Sequence, residues 1–290
     1  MSFSEPTECS WLVNGLKISG LAWGDPQLPP ILMLHGWLDN AASFALLAPE
    51  LINRHVVAID LTGQGQSDRR SADASYQIWD DLPEILGVLE QLGWTQFDLL
   101  GHSRGAIIST LIAGAYPERV KRLVLLDAIF PEAVPEAQFC EQLRKSVDQK
   151  PTLLVANNRV FPTLALGIAL RTKTDLNSDA AALLVKRGVK TCEGGLTWTT
   201  DRRLYGVSAV KLTEGQIRAV SQGLTMPTLL VLARGGRMDQ SDVFNAQLTQ
   251  VPGLVVERVD GGHHFHMETP LKPLAVRIAS FLEEKICDTS

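Results

Sequence analysis

Ser103 lies in the stretch LLGHSRGAII, with an apolar run leading in, an apolar run leading out, and Gly101 and Gly105 two residues to either side. A strand that runs straight into a helix needs a sharp turn, and the residue at its apex is forced to positive φ at a cost of about 1–3 kcal/mol. The residues two before and two after the apex must be small, because the strand and helix backbones nearly touch there. The two glycines meet that need. Such an elbow lifts the Ser103 hydroxyl to the carboxyl edge of a sheet. It also turns the Arg104 N–H, at the helix N-terminus, toward the same point.

A serine hydroxyl is a weak nucleophile until a base takes its proton, and the base must be held by a carboxylate. Along an elbow-bearing chain the expected order is serine, acid, histidine. Of the six histidines, His35, His55 and His102 precede Ser103, and the rest fall in DGGHHFHMETP near the C-terminal end. His263 begins that loop and is the expected base. His264 and His266 are expected to pack or to hydrogen-bond. The His-His-x-His run is not read as a metal site, because no carboxylate or cysteine set completes it at zinc spacing. No cofactor is expected.

The acid should lie on a loop at the carboxyl end of a strand between Ser103 and His263. Asp239, in LARGGRMDQSD, is the first choice. Asp127, at the end of VKRLVLLD, is the second; its simpler reading is a buried strand-end aspartate. Asp242 is the third, although it or Ser241 can instead cap a helix. An acyl-transfer site also needs N–H donors for the oxyanion. Arg104 supplies one, and Trp37, after Gly36 in LHGWLDN, supplies the other. Substrate contacts are expected from Trp37, Leu38 and Arg104. The Arg104 side chain has two options, a substrate carboxylate or a structural one.

The surrounding pattern provides the elements that must hold these groups. CSWLV and LKISGLAW flank Asn14-Gly15, a hairpin signal. ILMLHG, HVVAID, FDLLGHS, VKRLVLLD, PTLLVLAR and LVVERVD are short, nearly continuous apolar runs, as expected of strands buried on both faces of a parallel sheet. Helical patterns lie between them. In DDLPEILGVLEQLG, Leu82, Ile85, Leu86 and Leu89 share one helical face, and Gly93 is the expected stop. Strands alternating with helices imply an α/β, doubly wound, mostly parallel sheet. The alternation breaks after Asp127 for about a hundred residues, too many for a structureless loop. EAQFCEQLRKSV, PTLALGIAL, DAAALLVKRG and TEGQIRAVSQG read as helices, so residues 130–224 are expected to form a helical cap inserted into a core of residues 1–129 and 225–290.

With 45% hydrophobic and 20% charged residues among 290, the chain is long enough for such a core, and its net charge of −5 gives no case for nucleic acid or an anionic membrane. Cys9, Cys140, Cys192 and Cys287 are scattered, so reduced thiols and a cytoplasmic location are expected. The polar start MSFSEPTECS does not read as a signal peptide, and no apolar run approaches the roughly 20 residues that span a bilayer.

Together these residues resemble the α/β-hydrolase superfamily. HGW, DLTGQGQSDR, GHSRG and GGHHFHMETP stand in the order of its landmarks, and the resemblance covers nearly the whole core. It implies that the stretch holding Asp60, Gly63, Gly65 and Ser67 is a structural turn and not a nucleotide loop. LHGWLDNAASF, LLVKRG and TWTTDRRLYG are similar to the serine hydrolase-like proteins, which implies no defined substrate. Arg104 departs from the hydrophobic residue frequent there, and GGRMD is a loose form of the usual Gly-x-x-Asp acid loop. Haloalkane dehalogenases and epoxide hydrolases of this fold carry aspartate at the elbow, and Ser103 argues against both. The expectation is a serine hydrolase, monomer or homodimer, acting on a small or medium ester or related carbonyl compound. The alternatives are perhydrolysis or carbon–carbon bond hydrolysis on the same triad, and a ligand receptor that kept the fold.

Overall fold

The computed structural model describes residues 5–174, 176–236, 238–268 and 271–284. The chain begins with the hairpin that its turn signal predicts: β1 (Thr7–Val13) pairs with β2 (Leu16–Trp23), Val13 opposite Leu16. Asn14 and Gly15, both at positive φ, close the two-residue turn. Next come β3 (Pro30–Leu34), β4 (His55–Ile59), α1 (Leu82–Gln91), β5 (Phe97–His102), α2 (Arg104–Ala115) and β6 (Val120–Leu126). The long middle stretch holds α3 (Phe139–Val155), β7 (Val160–Phe161), α4 (Leu164–Arg171), α5 (Ser178–Gly188), β8 (Val189–Cys192), β9 (Gly195–Trp198) and α6 (Glu214–Gln222). The chain then returns through β10 (Thr228–Ala233), α7 (Asp242–Leu248), β11 (Leu254–Val259) and α8 (Lys272–Glu283).

Eight strands form one sheet in the order β1-β2-β4-β3-β5-β6-β10-β11, antiparallel at the hairpin edge and parallel from β4 onward. The apolar runs are buried on both faces, as continuous hydrophobic strands require. One face packs under α1, α2, α6 and α7, with Ile108, Ile112 and Ile217 in the core; the other packs under α8 and the segment around Phe44 and Leu47. Because β3 to β6 and β10 run the same way, their carboxyl ends share one edge, where open α/β sheets carry their sites. That edge holds Gly36, Asp60, Ser103 and Asp127.

The inserted stretch is not purely helical. β7, β9 and β8 form a small antiparallel sheet that the helical reading of the cap did not include. Its β8–β9 hairpin turns at Glu193-Gly194. Docking of this stretch onto the core is apolar at Ala181 and Leu184, which cluster with Met267, and polar elsewhere. Arg187 of α5 is nearly buried and donates to both carboxylate oxygens of Asp60, at 3.0 and 2.9 Å, and to Glu8 of β1 at 2.7 Å. Asn40 donates to the Leu184 carbonyl at 2.8 Å, and Tyr76 donates to Asp201 at 2.9 Å. The LLVKRG and DLTGQGQSDR motifs are therefore two halves of one joint. Last in the stretch, α6 lies on α2, where Gly114 leaves room for Val220. Cys9, Cys140 and Cys192 are free thiols; Cys287 lies outside the described residues.

Candidate active site

Ser103 sits between β5 and α2 at φ 52° and ψ −118°, the strained apex that the pentapeptide predicts. Both glycines are sterically required. A Cβ on Gly101 would stand 2.4 Å from the Gly105 carbonyl oxygen, and one on Gly105 would stand 2.0 Å from that of Leu34. The apex is anchored from below, its N–H donating to the Leu126 carbonyl at 2.9 Å.

His263 follows β11 on a loop pinned to the elbow. His102, one residue before the serine, places Nε2 2.9 Å from the His263 carbonyl oxygen. The partner of the His263 ring is Asp127: Nδ1 lies 2.6 Å from Oδ2. Asp127 ends β6 at φ 55°, and its other carboxylate oxygen accepts the Ala233 N–H at 2.9 Å. With Nδ1 donating to the carboxylate, the neutral ring keeps its lone pair on Nε2, where a base needs it.

The ring therefore pairs with Asp127 and not with Asp239, the first choice from the sequence. Asp239 turns away, its carboxylate accepting the Gly235 N–H at 3.0 Å and Arg258 Nε at 2.5 Å. Those two bonds hold its carboxyl below the usual aspartate range, the backbone N–H first. Asp242 opens α7 while the Ser241 side chain caps that helix. His266 is buried and bonds the Ser43 hydroxyl at 2.8 Å, and His264 Nε2 stands 3.3 Å from Asp39. Both are interior polar groups, as expected.

The loop after β3 is built around its backbone. Leu38 sits at φ 62° with its N–H donating to Gln64 at 2.7 Å, which takes that group out of play. Among the described residues the Trp37 N–H has no acceptor, and neither does the Arg104 N–H in the first turn of α2. His35 beneath them is fully buried. Its Nε2 accepts the Leu61 N–H at 3.0 Å and its Nδ1 donates to the Gly36 carbonyl at 2.8 Å, which fixes the neutral tautomer.

The α/β hydrolase fold family matches residues 29–270. The chain belongs to that family. It is similar to serine hydrolase-like protein 2 of Homo sapiens, at 30% identity over 92% of this chain and 90% of that one. A crystal structure of a hypothetical protein from Pseudomonas aeruginosa superposes with a TM-score of 0.91 at 35% identity, covering 97% of this chain and all of that one. The thioesterase domain from the curacin biosynthetic pathway superposes at 0.81, with 25% identity over 96% of this chain and 99% of that one. The protein is an enzyme of the α/β-hydrolase type. No helix of the described residues is long and apolar enough to cross a membrane.

As in other layered α/β enzymes, a cavity lies where the inserted stretch meets the core. It measures about 420 Å³, and its walls are mixed, with Trp37, Leu38, Leu184 and Trp198 beside Arg159 and Asn40; Ser103 and His263 do not line it. Trp37 closes part of it, donating its indole N–H to the Leu204 carbonyl at 2.9 Å and packing edge-on against Tyr205 at 5.6 Å. Arg104 is not among the lining residues. Its guanidinium reaches the Gln77 carbonyl at 3.2 Å and Asp81 at 3.5 Å, so the structural option holds for its side chain. Arg171 and Asp39 do line the cavity and pair with each other. Neither residue carries a sequence motif of its own. Asp39 stands in LDN directly after the oxyanion loop, and that position was its only signal.

Proposed function

We propose that the chain is a serine hydrolase cleaving a small or medium ester, or a related carbonyl compound, through an acyl-enzyme. Ser103 Oγ attacks the carbonyl carbon while His263 Nε2 takes its proton. Asp127 holds the Nδ1–H and stabilises the imidazolium that forms. The oxyanion lies against the N–H groups of Trp37 and Arg104. On collapse, the leaving group departs with the proton from His263. Water then attacks the acyl-enzyme, gives a proton to His263, and the acid is released as Ser103 recovers its hydrogen. Every group comes from one chain.

The observation that carries this reading is the 2.6 Å contact between Asp127 and His263, on a loop tied to the serine's own elbow. The free N–H groups of Trp37 and Arg104 support it, and Trp37, which carries one of them, also lines the cavity between core and inserted stretch. The test is labelling with a fluorophosphonate, followed by mapping of the adduct by mass spectrometry. The adduct should fall on Ser103. Label that persists in Ser103→Ala contradicts the reading. A panel of p-nitrophenyl esters tests the small or medium acyl group, and a preference for acyl chains of lipid length contradicts it.

A further inference from the structure

Behind the elbow lies a polar cluster that this chemistry leaves unused. His102 is fully buried, and its Nε2 faces the His263 carbonyl at 2.9 Å. A carbonyl only accepts, so Nε2 carries the hydrogen and the neutral ring presents a bare lone pair at Nδ1. That lone pair faces Asp39 Oδ2 at 3.8 Å. Asp39 and His102 are both buried, no donor among the described residues reaches His102 Nδ1, and the nearest nitrogen to Asp39 Oδ2 is that of His264, outside good hydrogen-bond geometry. Two electron-rich atoms facing each other at this range repel unless a cation or a hydrogen lies between them. His264 Nε2 stands 3.3 Å from the same carboxylate oxygen, and all three atoms lie within 4.8 Å of one another.

Two occupants call for different spacings. Ligands bound tetrahedrally at 2.0–2.1 Å stand roughly 3.3 Å apart. A water donating to two acceptors holds them about 4.4 Å apart. The 3.3 Å between His264 and Asp39 matches the first value, and the 3.8 Å between His102 and Asp39 lies between the two. Gly36 adds room, since a Cβ there would stand 3.0 Å from both Asp39 Oδ2 and His102 Nδ1. Arg171 engages the other carboxylate oxygen, which leaves Oδ2 as a single ligand atom. We infer that Asp39, His102 and His264 form a binding site for a transition-metal ion of the zinc(II) type. Two imidazoles and one carboxylate suit such an ion and not calcium or magnesium. The carboxylate that the His-His-x-His run lacks in sequence is supplied from the loop after β3. An ion here would tie together the residues adjoining Ser103 and His263, and so would stiffen the elbow against the histidine loop.

This inference stands apart from the hydrolase reading, because its readout is a spectrum and not turnover. The chelator-treated full-length chain is titrated with cobalt(II) alone and followed by visible absorption. We expect one equivalent to give the intense bands of tetrahedral cobalt. His264→Gln should weaken binding by more than about 100-fold while the circular dichroism stays native. Asp39→Asn is the second variant, in case the first does not fold. His263→Ala should keep the bands, since that ring is not a ligand. Absence of tetrahedral bands in the wild type overturns the inference. So do bands unchanged in folded His264→Gln, bands lost in His263→Ala, or a thiolate charge-transfer band pointing to cysteine.

Discussion

Two aspartates end neighbouring strands on the same edge of the sheet, and they do different things. Asp127, after β6, is buried at φ 55° with one oxygen on the Ala233 N–H and the other on His263. Asp239, in the loop after β10, gives its carboxylate to Gly235 and Arg258 at the solvent edge. Both lie between Ser103 and His263 in the chain, so the order serine, acid, histidine is satisfied twice. What separates them is the next strand. The β10 backbone grips Asp127 and aims its free oxygen across the edge. Asp239 has only its own loop and an exposed arginine. A third strand-end aspartate, Asp60 after β4, is spent on Arg187 and holds the inserted stretch in place.

The largest effect sets the floor for this comparison. Ser103→Ala should lower kcat by about 10⁶ in any ester assay, as removal of a triad serine does. Activity near wild type would make the contrast between the two acids irrelevant to catalysis. Next comes the third aspartate. Arg187→Met leaves the Asp60 carboxylate buried without its partner and should cost about 3–5 kcal/mol of unfolding free energy, read by urea denaturation. A negligible change would mean that Asp60 does not anchor the inserted stretch.

A smaller effect separates loss of fold from loss of the base in acid. Burial lowers the pKa of His35, and its Nε2 must stay unprotonated to accept the Leu61 N–H. A histidine depressed in the native state takes its proton first in the unfolded chain. Its stabilisation is therefore complete above the unfolded value of about 6.5, and is lost as pH falls below it. His35 alone should give a slope near 1.4 kcal/mol per pH unit there. Burial depresses His102 and His266 as well, so denaturation at a series of pH values, in chelator, should show a steeper slope in the wild type and one shallower by about 1.4 kcal/mol per pH unit in His35→Asn. The smallest effect belongs to Asp239→Asn. Its kcat/KM should stay within about twofold of wild type, as for a surface substitution away from the site.

Much of this architecture was legible because it is local. The elbow needs glycine at two fixed offsets, the Asn14-Gly15 turn needs positive φ, and buried parallel strands need unbroken apolar runs. Each requirement is met within a few residues, so Ser103, the hairpin and the strands of the sheet can be read from the chain. His263 follows from its place after the last strand. The carboxylate partner of His263 could not be read in this way. Asp127 and Asp239 look alike locally, and the N–H that selects between them lies 106 positions from Asp127, on β10. Arg104 resolves for the same reason only in three dimensions, where Asp81 is within its reach. The β8–β9 hairpin did leave a signal, the Glu-Gly-Gly run at 193–195, but helical periodicity on either side hid it.

The account stands or falls on the two acids measured side by side. The second-order rate of Ser103 labelling by a fluorophosphonate should be compared in Asp127→Asn and Asp239→Asn. An asparagine at 127 can still accept the Ala233 N–H, but its NH₂ would donate to His263 and move the ring hydrogen to Nε2, where it blocks the base. Asp127→Asn should lose about 10⁴, as for other triads forced into the wrong tautomer, with Asp239→Asn labelling at the wild-type rate. A slow Asp239→Asn beside a fast Asp127→Asn would contradict it.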